Sequence, residues 1–552
     1  RALHLDAKNR KFLSDTFIFN NLLSAYAKCG AVAETEALFH SLPQYSIVSW
    51  NTMLSAYVVD GEGQAALLLY RQLHAENMNP NELTFIMALQ ACALLAVQED
   101  KFSDDILRKQ ITLDIGHALH ADAMKKSFTS KCFVGNTILS MYCKCRNISD
   151  AEGIFSELSQ HDVVSWSVLM SGYVEVGQGA KALQLYLWMQ KQGISPDDRT
   201  LMFALRACCC LIDENEPLIE DSKLSVKSIL EIGHALHSDA HRCKLTSNVL
   251  VGTAILCMYG KYGALPEAEI MFSKLVHLDT VAWNAMLSAY IEMEQGEKAL
   301  SLYRYMQKQG TPPDHLTFII ALQACGVIGE KQQAFQKGET YFLDIGRALH
   351  LDIKRKGYAS HVPIANTLVS MYGKCGSIEE AEDVFNTLVD RDIISWNAML
   401  SACNEQGQGD KTLWLYREMQ QEQLVLNEIT LMCVLQACGE RGSLAICEKV
   451  HFDIVANNMG RISPLISTLI NAYGSCARTV DADSIFDECV DLTFVTWNAC
   501  IASHVGDRNS FASIYMFEMS KLTGIMPDSI TFTSVLSACS HNSLVVEGIK
   551  YF

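Results

Sequence analysis

The stretch IVSWNTMLSAY, residues 47–57, recurs four more times along this sequence and decides its fold. The later copies are VVSWSVLMSGY from Val163, TVAWNAMLSAY from Thr280, IISWNAMLSAC from Ile393 and, more faintly, FVTWNACIASH from Phe494. The copies begin at intervals of a little over one hundred residues. A long and regular period of this kind indicates an array of internal repeats.

The composition restricts the class of protein before any single motif does. The 552 residues are 49% hydrophobic, and no stretch is long and uncharged enough to span a membrane, so we expect no membrane partner. The 20 cysteines contain no CxxC pair, which favours buried thiols over a disulfide framework. The formal net charge of −18 argues against a nucleic-acid partner unless the basic residues are arranged locally.

Each long period contains three shorter units, and each unit has the pattern of two helices. The first period consists of a 35-residue unit (47–81), a longer unit (82–131) and a 31-residue unit (132–162). In the first unit, apolar residues at helical spacing form two stripes, which Gly61 and Gly63 separate. Two short helices cannot bury their apolar faces alone, so the units must stack on one another. This predicts an α-solenoid with a continuous core and one long concave surface.

The units resemble a known repeat family. The unit VVSWSVLMSGYVEVGQGAKALQLYLWMQKQGISPD (163–197) is similar to a pentatricopeptide repeat. The alternation of 35-residue, longer and 31-residue units resembles the PLS class of plant-type organellar proteins. The resemblance implies an all-α fold, a right-handed α-solenoid superhelix of stacked helix-turn-helix repeats. It covers a partial repeat over 1–15, an array of repeats over 16–528 and a truncated longer repeat over 529–552.

Three of the longer units exceed the family length, which the 35-residue unit at 428–462 keeps. They run over 82–131, 198–248 and 315–361. Their additional residues are charged and weakly apolar, and they lie near 97–112, 213–229 and 329–342. Solvated loops are the favoured interpretation of these insertions, and a dedicated docking surface is the alternative.

Two neighbouring residues recur in the first helix of the repeats, and we expect them to differ in role. The tryptophan lies on the apolar stripe, where its ring fills the space between stacked units. The residue after it is small and polar, and we expect it to face the concave side. The 31-residue units carry the same kind of residue at this position. The ten reading positions are Asn20, Asn51, Asn136, Ser167, Thr253, Asn284, Asn366, Asn397, Ser467 and Asn498.

These side chains suit the recognition of unpaired bases. Asn offers a donor and an acceptor side by side, and Ser and Thr offer a hydroxyl, all of which can bond a Watson–Crick edge. In pentatricopeptide proteins this residue reads one base together with the last residue of the same unit. The resemblance therefore implies ten second readers, which are Ser46, Asn81, Asp162, Asp197, Asp279, Asp314, Asp392, Asn427, Thr493 and Asp528. The family pairings imply U for Asn with Asp, G for Ser or Thr with Asp, and a pyrimidine for Asn with Asn or Ser.

The longer units interrupt the row of readers. They hold Ile86, Met202, Ile319 and Met432 at the reading position, and these side chains cannot hydrogen-bond a base. We expect the longer units to set the spacing between the base-reading units without recognising a base themselves. The resemblance also implies that apolar residues clamp the bases between adjacent units. These stacking residues are Val48, Val164, Val281, Ile394 and Val495.

A row of lysines provides the local basic arrangement that the net charge requires. Eight residues beyond the reader, four of the short units carry Lys28, Lys144, Lys261 and Lys374, which we expect to contact phosphates. The corresponding positions of the 35-residue units hold Glu175, Glu292 and Glu405. These carboxylates would weaken the electrostatic attraction for RNA.

No catalytic, metal or cofactor motif is recognisable in the sequence. His234, His237 and His241 have the spacing of a zinc site, but related stretches replace the first histidine by Arg347 or Cys447, which favours a helix surface. His74 and Glu76 match half of a deaminase motif, and no PCxxC follows them. We therefore expect no enzymatic activity, no metal and no cofactor in this chain.

The repeats lead to two hypotheses of function. The first is a sequence-specific, single-stranded RNA-binding protein that positions an organellar transcript for C-to-U editing. The segment 529–552 resembles the repeat that precedes the extension domains of editing factors, so a deaminase could follow residue 552 or act in trans. The alternative is a structural subunit of an organellar ribonucleoprotein, such as the mitochondrial ribosome, with ribosomal RNA and proteins as partners. The expected location is the mitochondrion, with the chloroplast as the alternative.

Overall fold

The computed structural model describes residues 16–42, 44–102, 106–129, 131–158, 160–213, 226–334, 341–422, 424, 426–457, 459, 462–489, 492–506, 509–541, 544 and 549. Every regular element in these residues is an α-helix, and the 29 helices alternate between the first and the second helix of a repeat. The prediction of an all-α solenoid is confirmed. Within the described ranges, no helix is both long and apolar enough to cross a membrane.

The helices follow the repeat pattern that the sequence predicts. The first helices are α1 (Thr16–Lys28), α3 (Ile47–Asp60), α5 (Glu82–Phe102), α7 (Cys132–Lys144), α9 (Val163–Glu175), α11 (Asp198–Asp213), α13 (Val249–Lys261), α15 (Thr280–Glu292), α17 (His315–Ala334), α19 (Val362–Lys374), α21 (Ile393–Glu405), α23 (Glu428–Arg441), α25 (Ser463–Ser475), α27 (Phe494–Gly506) and α29 (Ser529–His541). The second helices are α2 (Val32–His40), α4 (Gly63–Ala75), α6 (Ile106–Lys125), α8 (Ile148–Glu157), α10 (Gly179–Lys191), α12 (Val226–Arg242), α14 (Leu265–Lys274), α16 (Gly296–Lys308), α18 (Tyr341–Arg355), α20 (Ile378–Thr387), α22 (Gly409–Gln421), α24 (Leu444–Ala456), α26 (Thr479–Glu488) and α28 (Ser510–Leu522).

The chain divides into two compact units, one that ends at Ala289 and one that begins at Tyr290. In each unit, a first helix packs against its own second helix and against the first helices of the neighbouring repeats. Sharp turns make this packing possible. Gly61 ends α3 with a φ of 85°, a left-handed conformation that glycine adopts without steric cost.

The tryptophans of the first helices lie in the core, as predicted. Trp50, Trp166, Trp283, Trp396 and Trp497 are all buried. Each ring meets the edge of a phenylalanine from the preceding second helix; the ring centroids of Phe155 and Trp166, for example, are 5.0 Å apart at 76°. Such edge-to-face pairs are worth about 0.5–1.5 kcal/mol beyond the burial of their area. The tryptophan therefore joins one repeat to the next.

The insertions of the longer units are helical where the structure describes them. The first helices α5, α11 and α17 have 21, 16 and 20 residues, compared with 14 in α23 of the longer unit without an insertion. The interpretation of the insertions as loops is therefore wrong at 97–102, 106–112, 213, 226–229, 329–334 and 341–342. In the first insertion the Gln, Glu, Lys, Leu and Arg residues favour helix, and no Gly or Pro interrupts it. The segments 103–105, 214–225 and 335–340 lie outside the described residues.

A recurring hydrogen bond explains the histidine motif that resembles a zinc site. His237 Nδ1 lies 2.9 Å from the hydroxyl of Tyr259 in the next first helix, and His234 Nδ1 lies 3.0 Å from the same hydroxyl. The same His–Tyr contact, at 3.0 Å, joins His120 to Tyr142, His350 to Tyr372 and His451 to Tyr473. His234 and His241 are exposed, as expected for a helix surface, whereas His237 is half-buried. The histidines of this motif therefore connect one repeat to the next through a hydrogen bond to tyrosine.

Candidate nucleic-acid interface

The residue after each tryptophan lies in the seam between neighbouring first helices. Asn51 and Ser167 are only 5% exposed, and Asn136 is 7% exposed, because the following first helix covers them. The residues at the reading positions are therefore much less exposed to solvent than the prediction of a row on the concave surface implies. A buried amide must find hydrogen-bond partners inside the protein, so its surroundings decide what it can offer to a ligand.

The pair of Asn136 and Asp162 shows how the reading position is built. Asn136 Nδ2 donates to Asp162 Oδ1 at 3.0 Å. Ser165 Oγ lies 2.8 Å from both Asn136 Oδ1 and Asp162 Oδ1, and its single hydroxyl hydrogen is shared between these two acceptors. Asp162 is also the N-cap of α9, because its Oδ1 accepts the backbone N–H of Ser165 at 2.8 Å. The end of one repeat and the start of the next thus hold the amide in a single orientation.

The same three-residue network recurs at three other repeats. Asn51 Nδ2 donates to Asn81 Oδ1 at 3.0 Å, and Thr84 Oγ1 donates to Asn51 Oδ1 at 2.7 Å. The networks of Asn397, Asn427 and Thr430 and of Asn498, Asp528 and Thr531 repeat these contacts. Two further predicted pairs are also hydrogen-bonded, Asn20 to Ser46 at 3.4 Å and Asn366 to Asp392 at 3.3 Å.

The predicted pairs that start with Ser or Thr are arranged differently. Ser167 Oγ donates to the carbonyl of Val164 in its own helix at 3.0 Å, and this hydroxyl is too short to span the seam as an asparagine does. Thr253 Oγ1 is buried and has no hydrogen-bond partner among the described residues. Ser467 Oγ lies 3.3 Å from Thr496 Oγ1, which also lies 3.0 Å from Thr493 Oγ1. The pairs of Ser167 with Asp197, Thr253 with Asp279, and Asn284 with Asp314 remain sequence-based predictions.

The serine or threonine three residues after the end of the unit is a component that sequence reasoning missed. It recurs as Ser165, Thr84, Thr430 and Thr531, and it donates a hydroxyl hydrogen to the buried asparagine in each network. The signal was present in the sequence, because a Ser or Thr stands at this position in most repeats. In the sequence this residue has the position of an ordinary helix-capping residue, and only the structure shows the asparagine of the preceding repeat beside it.

The carboxylates of the network are held in their ionised form. Partial burial opposes the ionisation of Asp162, but hydrogen bonds from the N–H and hydroxyl of Ser165 outweigh it and hold the pKa of this carboxyl below its usual value. The same balance lowers the pKa of Asp392. At Asp528 the hydrogen bonds from Thr531 are the largest cause of the lowered pKa. These carboxylates therefore act only as acceptors at neutral pH.

The predicted stacking residues are exposed and belong to a longer row. Val48, Val164, Val281, Ile394 and Val495 present between 43% and 61% of their surfaces to solvent. The equivalent second position of most other repeats is also apolar and exposed, most of all Phe133 at 81% and Phe17 at 75%, whereas the unit that begins at Asp198 has Arg199 there. Sequence reasoning missed the members of this row that lie in the other units. They include Phe17, Leu83, Phe133, Leu250, Leu316, Ile429 and Ile530. Because single exposed apolar residues are common, the significance lies in the recurrence at one position of the repeat.

A groove between the first three first helices brings the three predicted roles together. It has a volume of about 520 Å³, and its lining includes the reading pair Asn51 and Asn81, the apolar Val48 and Leu83, and Lys28. A hydrogen-bonding amide, an apolar clamp and a cation thus share one opening. This is the combination that an unpaired nucleotide requires for its base edge, base face and phosphate.

The lysines end their helices as predicted, but acidic residues accompany them. Lys28, Lys144, Lys261 and Lys374 each occupy the last turn of a first helix. Lys144 forms an ion pair with Glu175 of the next first helix. Lys374 Nζ lies 2.9 Å from a carboxylate oxygen of Glu330. Burial raises the pKa of Glu405, which lies close enough to Lys374 for the lysine charge to oppose that shift. The acidic residues therefore compensate part of the positive charge.

Comparison with known proteins supports the repeat assignment. A model described as the PPR repeat family matches residues 45–93, 161–210 and 278–326, and a model described as the PPR repeat matches 17–47, 136–163, 364–393 and 394–424. The pentatricopeptide repeat-containing protein At3g13880 of Arabidopsis thaliana is 27% identical over 541 residues, which cover 97% of this chain and 67% of that protein. The Arabidopsis proteins At3g02330, mitochondrial, and At1g11290, chloroplastic, are 27% and 26% identical. The chain spans 57% and 61% of their lengths, against 98% and 97% of its own.

A solved structure has the same fold. The pentatricopeptide repeat protein PPR10, crystallised in complex with an 18-nt psaJ RNA element, aligns with a TM-score of 0.58 and 15% sequence identity. The alignment covers 97% of this chain and 83% of that one. At this identity the similarity establishes the repeat-solenoid fold. The ligand has to be argued from the residues of the site.

Proposed function

We propose that this chain, whose sequence matches pentatricopeptide repeat models in several segments, binds single-stranded RNA, with one base read by each repeat that carries Asn, Ser or Thr at the reading position. The observation that carries this proposal is the recurring network of a buried asparagine, the residue at the end of its unit and a following Ser or Thr. The hydrogen bonds between repeats stabilise the solenoid, but packing alone does not require the same amide in the same orientation at four separate repeats. The network supplies oriented hydrogen-bonding groups at the spacing of the repeats.

The groups that the network leaves unused support a preference among bases. At Asn136 and Asp162, the second N–H of the amide meets only Cys132 Sγ, at 3.6 Å, a weak acceptor that a base can replace, and the carboxylate retains unused lone pairs. A donor beside an acceptor complements uracil, which offers a carbonyl oxygen next to an N–H. At Asn51 and Asn81, both amide oxygens already accept hydrogen bonds, so the available groups are N–H donors. Donors complement the ring nitrogen and carbonyl of cytosine.

The longer repeats are proposed as spacers. Ile86, Met202, Ile319 and Met432 are half-buried at the reading position and carry no hydrogen-bonding group in the side chain. Their apolar neighbours one turn earlier, such as Leu83 and Ile429, are exposed in the stacking row. A longer repeat would therefore hold a base by its face without selecting it.

Selection from a pool of randomised RNA tests the proposal. The chain is immobilised, bound RNAs are recovered over several rounds, and the enriched sequences are aligned. We expect single-base preferences at the positions of the short repeats, with U or C favoured opposite asparagine and no preference opposite the longer repeats. An enriched pool with no positional preference, or one with double-stranded elements only, would overturn the proposal.

The biological role that we propose is recognition of an organellar transcript at a site of C-to-U editing, in the mitochondrion or alternatively in the chloroplast. The PLS-like alternation and the resemblance of 529–552 to the repeat that precedes editing domains support this role, and relatives named mitochondrial and chloroplastic support the location. The deaminase would lie beyond residue 552 or act in trans. Sequencing of RNA crosslinked to the protein in its organelle tests this, because the recovered sites should lie beside edited cytidines.

One observation favours a second role, as a structural subunit of an organellar ribonucleoprotein. The net charge of −18 and the ion pairs of Lys144 and Lys374 reduce the attraction for a free RNA strand. A subunit embedded among other proteins would not depend on that attraction. Cosedimentation with ribosomal RNA, together with crosslinks to structured RNA, would support this second role over editing.

A further inference from the structure

Three side chains with metal-binding groups meet at the junction of α26 and α27, away from the proposed RNA contacts. Asp483 lies on α26, and Cys500 and His504 lie one turn apart on α27. His504 Nε2 is 3.0 Å from Asp483 Oδ1, and Cys500 Sγ is 3.7 Å from the same oxygen. One ligand atom of each residue lies within 4.8 Å of those of the other two. Within the described part of the chain, no second group of His, Cys, Asp and Glu meets this criterion.

The other repeats show what normally occupies this junction. The position of Asp483 is Glu in four equivalent second helices, and the position of His504 is Tyr in three of the four equivalent first helices and Cys403 in the fourth. In one of them, Tyr173 Oη donates to Glu152 Oε1 at 2.7 Å. The position of Cys500 is Leu or Met in these repeats, Leu169 being the equivalent beside Tyr173. A carboxylate thus stands at the first position in every one of these repeats, and only this junction combines it with both a cysteine and a histidine.

The histidine of the cluster can exchange a hydrogen bond for a metal bond. The side chain of His504 is 7% exposed; its Nε2 faces Asp483, and its Nδ1 has no hydrogen-bond partner among the described residues. Cys500 is fully buried. Asp483 is 43% exposed, so the cluster has one side open to solvent through which an ion can enter. An ion held by Nε2 would leave the ring proton on Nδ1, the tautomer in which a neutral imidazole binds a metal.

We propose that Asp483, Cys500 and His504 form a binding site for a divalent transition metal of the Zn²⁺ class. A thiolate, an imidazole and a carboxylate are the ligand types that Zn²⁺ takes in proteins, and the combination with sulfur excludes Mg²⁺ and Ca²⁺. Zn²⁺ bonds of about 2.0–2.3 Å place tetrahedral ligand atoms roughly 3.3–3.8 Å apart, so the distances of 3.0 Å and 3.7 Å to Asp483 Oδ1 require only small side-chain shifts. Water completes the coordination, or Asp487, which follows one turn after Asp483 on the same helix.

The ion would act as a clip between two consecutive repeats. It would join α26 to α27 in place of the tyrosine–glutamate hydrogen bond that the other junctions use. Helix α27 also carries Asn498, whose amide donates to Asp528, so the clip lies on the helix that orients one proposed reading position. The metal site does not depend on the RNA-binding proposal, because its evidence lies in different residues.

Metal titration of the whole chain tests the site. The probes are Zn²⁺, followed by calorimetry and by the melting temperature, and Co²⁺, followed by absorption. A variant with Asp483→Glu, Cys500→Leu and His504→Tyr restores the pattern of Glu152, Leu169 and Tyr173 and should fold. We expect it to bind one metal ion fewer per chain than the natural protein and to lose the Zn²⁺-dependent rise in melting temperature. Comparison of the two proteins removes the background from the other cysteines among the 20.

Two further variants keep the test decisive. Cys500→Ser should remove the sulfur-to-Co²⁺ charge-transfer band that this thiolate contributes. The reciprocal change of Glu152→Asp, Leu169→Cys and Tyr173→His should add one metal site in the first unit, which tests the geometry even if the first variant misfolds. Equal metal stoichiometry and equal Co²⁺ spectra in the natural protein, the triple variant and the reciprocal variant would overturn the proposal.

Discussion

The amide of Asn136 donates a hydrogen bond of 3.0 Å to the carboxylate of Asp162, which is also the N-cap of the next helix. This contact ties the proposed base reader of one repeat to the beginning of the following repeat. A helix cap and a reading position therefore share one carboxylate. Changes at this network should affect base preference and local stability together, and the predictions below use that link.

Asn136→Ser, with Asp162 retained, should shift the preference at one nucleotide from U towards G. Serine is too short to bond the carboxylate across the seam, as Ser167 illustrates by bonding Val164 of its own helix. Each base-edge contact is worth about 1–3 kcal/mol by analogy with DNA readout. Randomised-RNA selection on both proteins measures the shift. Ile86→Val is the matched control and should leave every preference unchanged, whereas an equal change at all nucleotides in the Asn136 variant would show that it is not a reader.

Ser165→Ala should relax base discrimination at the same nucleotide without changing which base is preferred. The hydroxyl of Ser165 shares its one hydrogen between Asn136 and Asp162, and its loss lets the amide rotate. The lost cap and hydrogen bond should cost about 1 kcal/mol of unfolding free energy. Urea unfolding and competition binding with single-base RNA variants measure both effects. Ser401→Ala, at a half-buried position of α21 outside the networks, is the control. If Ser165→Ala lowers stability but leaves base discrimination unchanged, the hydroxyl serves only the helix cap.

Lys28→Ala should weaken binding to all RNAs alike and flatten the dependence of log affinity on log salt by about 0.7 for the lost phosphate contact. Lys144→Ala should change the slope less, because Lys144 already pairs with Glu175. Glu175→Gln releases that lysine and should steepen the slope. Filter binding at several salt concentrations measures the three proteins. Identical slopes in all of them would mean that these lysines do not contact phosphate.

Stability should decrease as the pH falls below about 6.5. Burial lowers the pKa of His120, His237, His350 and His451, each of which bonds a tyrosine hydroxyl. The folded protein therefore binds fewer protons than the unfolded chain in this range, so its stability is complete above the unfolded pKa and is lost as the pH falls through the folded pKa. Thermal unfolding between pH 8 and pH 5 measures the effect.

His350→Gln provides the comparison for the pH dependence. Glutamine can still bond Tyr372 but does not titrate, so the variant should lose less stability on acidification than the natural protein. His241→Gln, at an exposed position of α12, should leave the pH dependence nearly unchanged. A pH profile that is the same in all three proteins would show that other groups dominate acid unfolding.

Ile319→Asn should create no new base preference. Ile319 is half-buried in α17, a helix lengthened by its insertion, and an asparagine there need not meet a base in register. Randomised-RNA selection checks this, with circular dichroism to confirm that the variant folds. A clear new preference at that nucleotide in a folded variant would make the longer repeats latent readers.

Much of the fold followed from the sequence alone. Apolar residues at helical spacing and glycine stop signals are local features, so they located the helices, the turns and the repeats. The recurrence of the tryptophan placed its ring in the core, which Trp50 and Trp166 confirm. The pairing of Asn136 with Asp162 followed from the family resemblance, and the structure brings these residues together. That the pair reads a base stays a prediction.

The tertiary structure alone decided the features that depend on contacts between different helices. It buried Asn136 in a seam, gave it Ser165 as a hydrogen-bond donor and paired Lys144 with Glu175. It also continued the helices through the described parts of the insertions, where charged residues resembled a loop. Asp483, Cys500 and His504 appear unremarkable in sequence, because Asp483 belongs to one repeat and the other two to the next. Only the packing of successive repeats determines which such side chains meet, since their separation along the chain does not encode the angle and depth at which the helices approach.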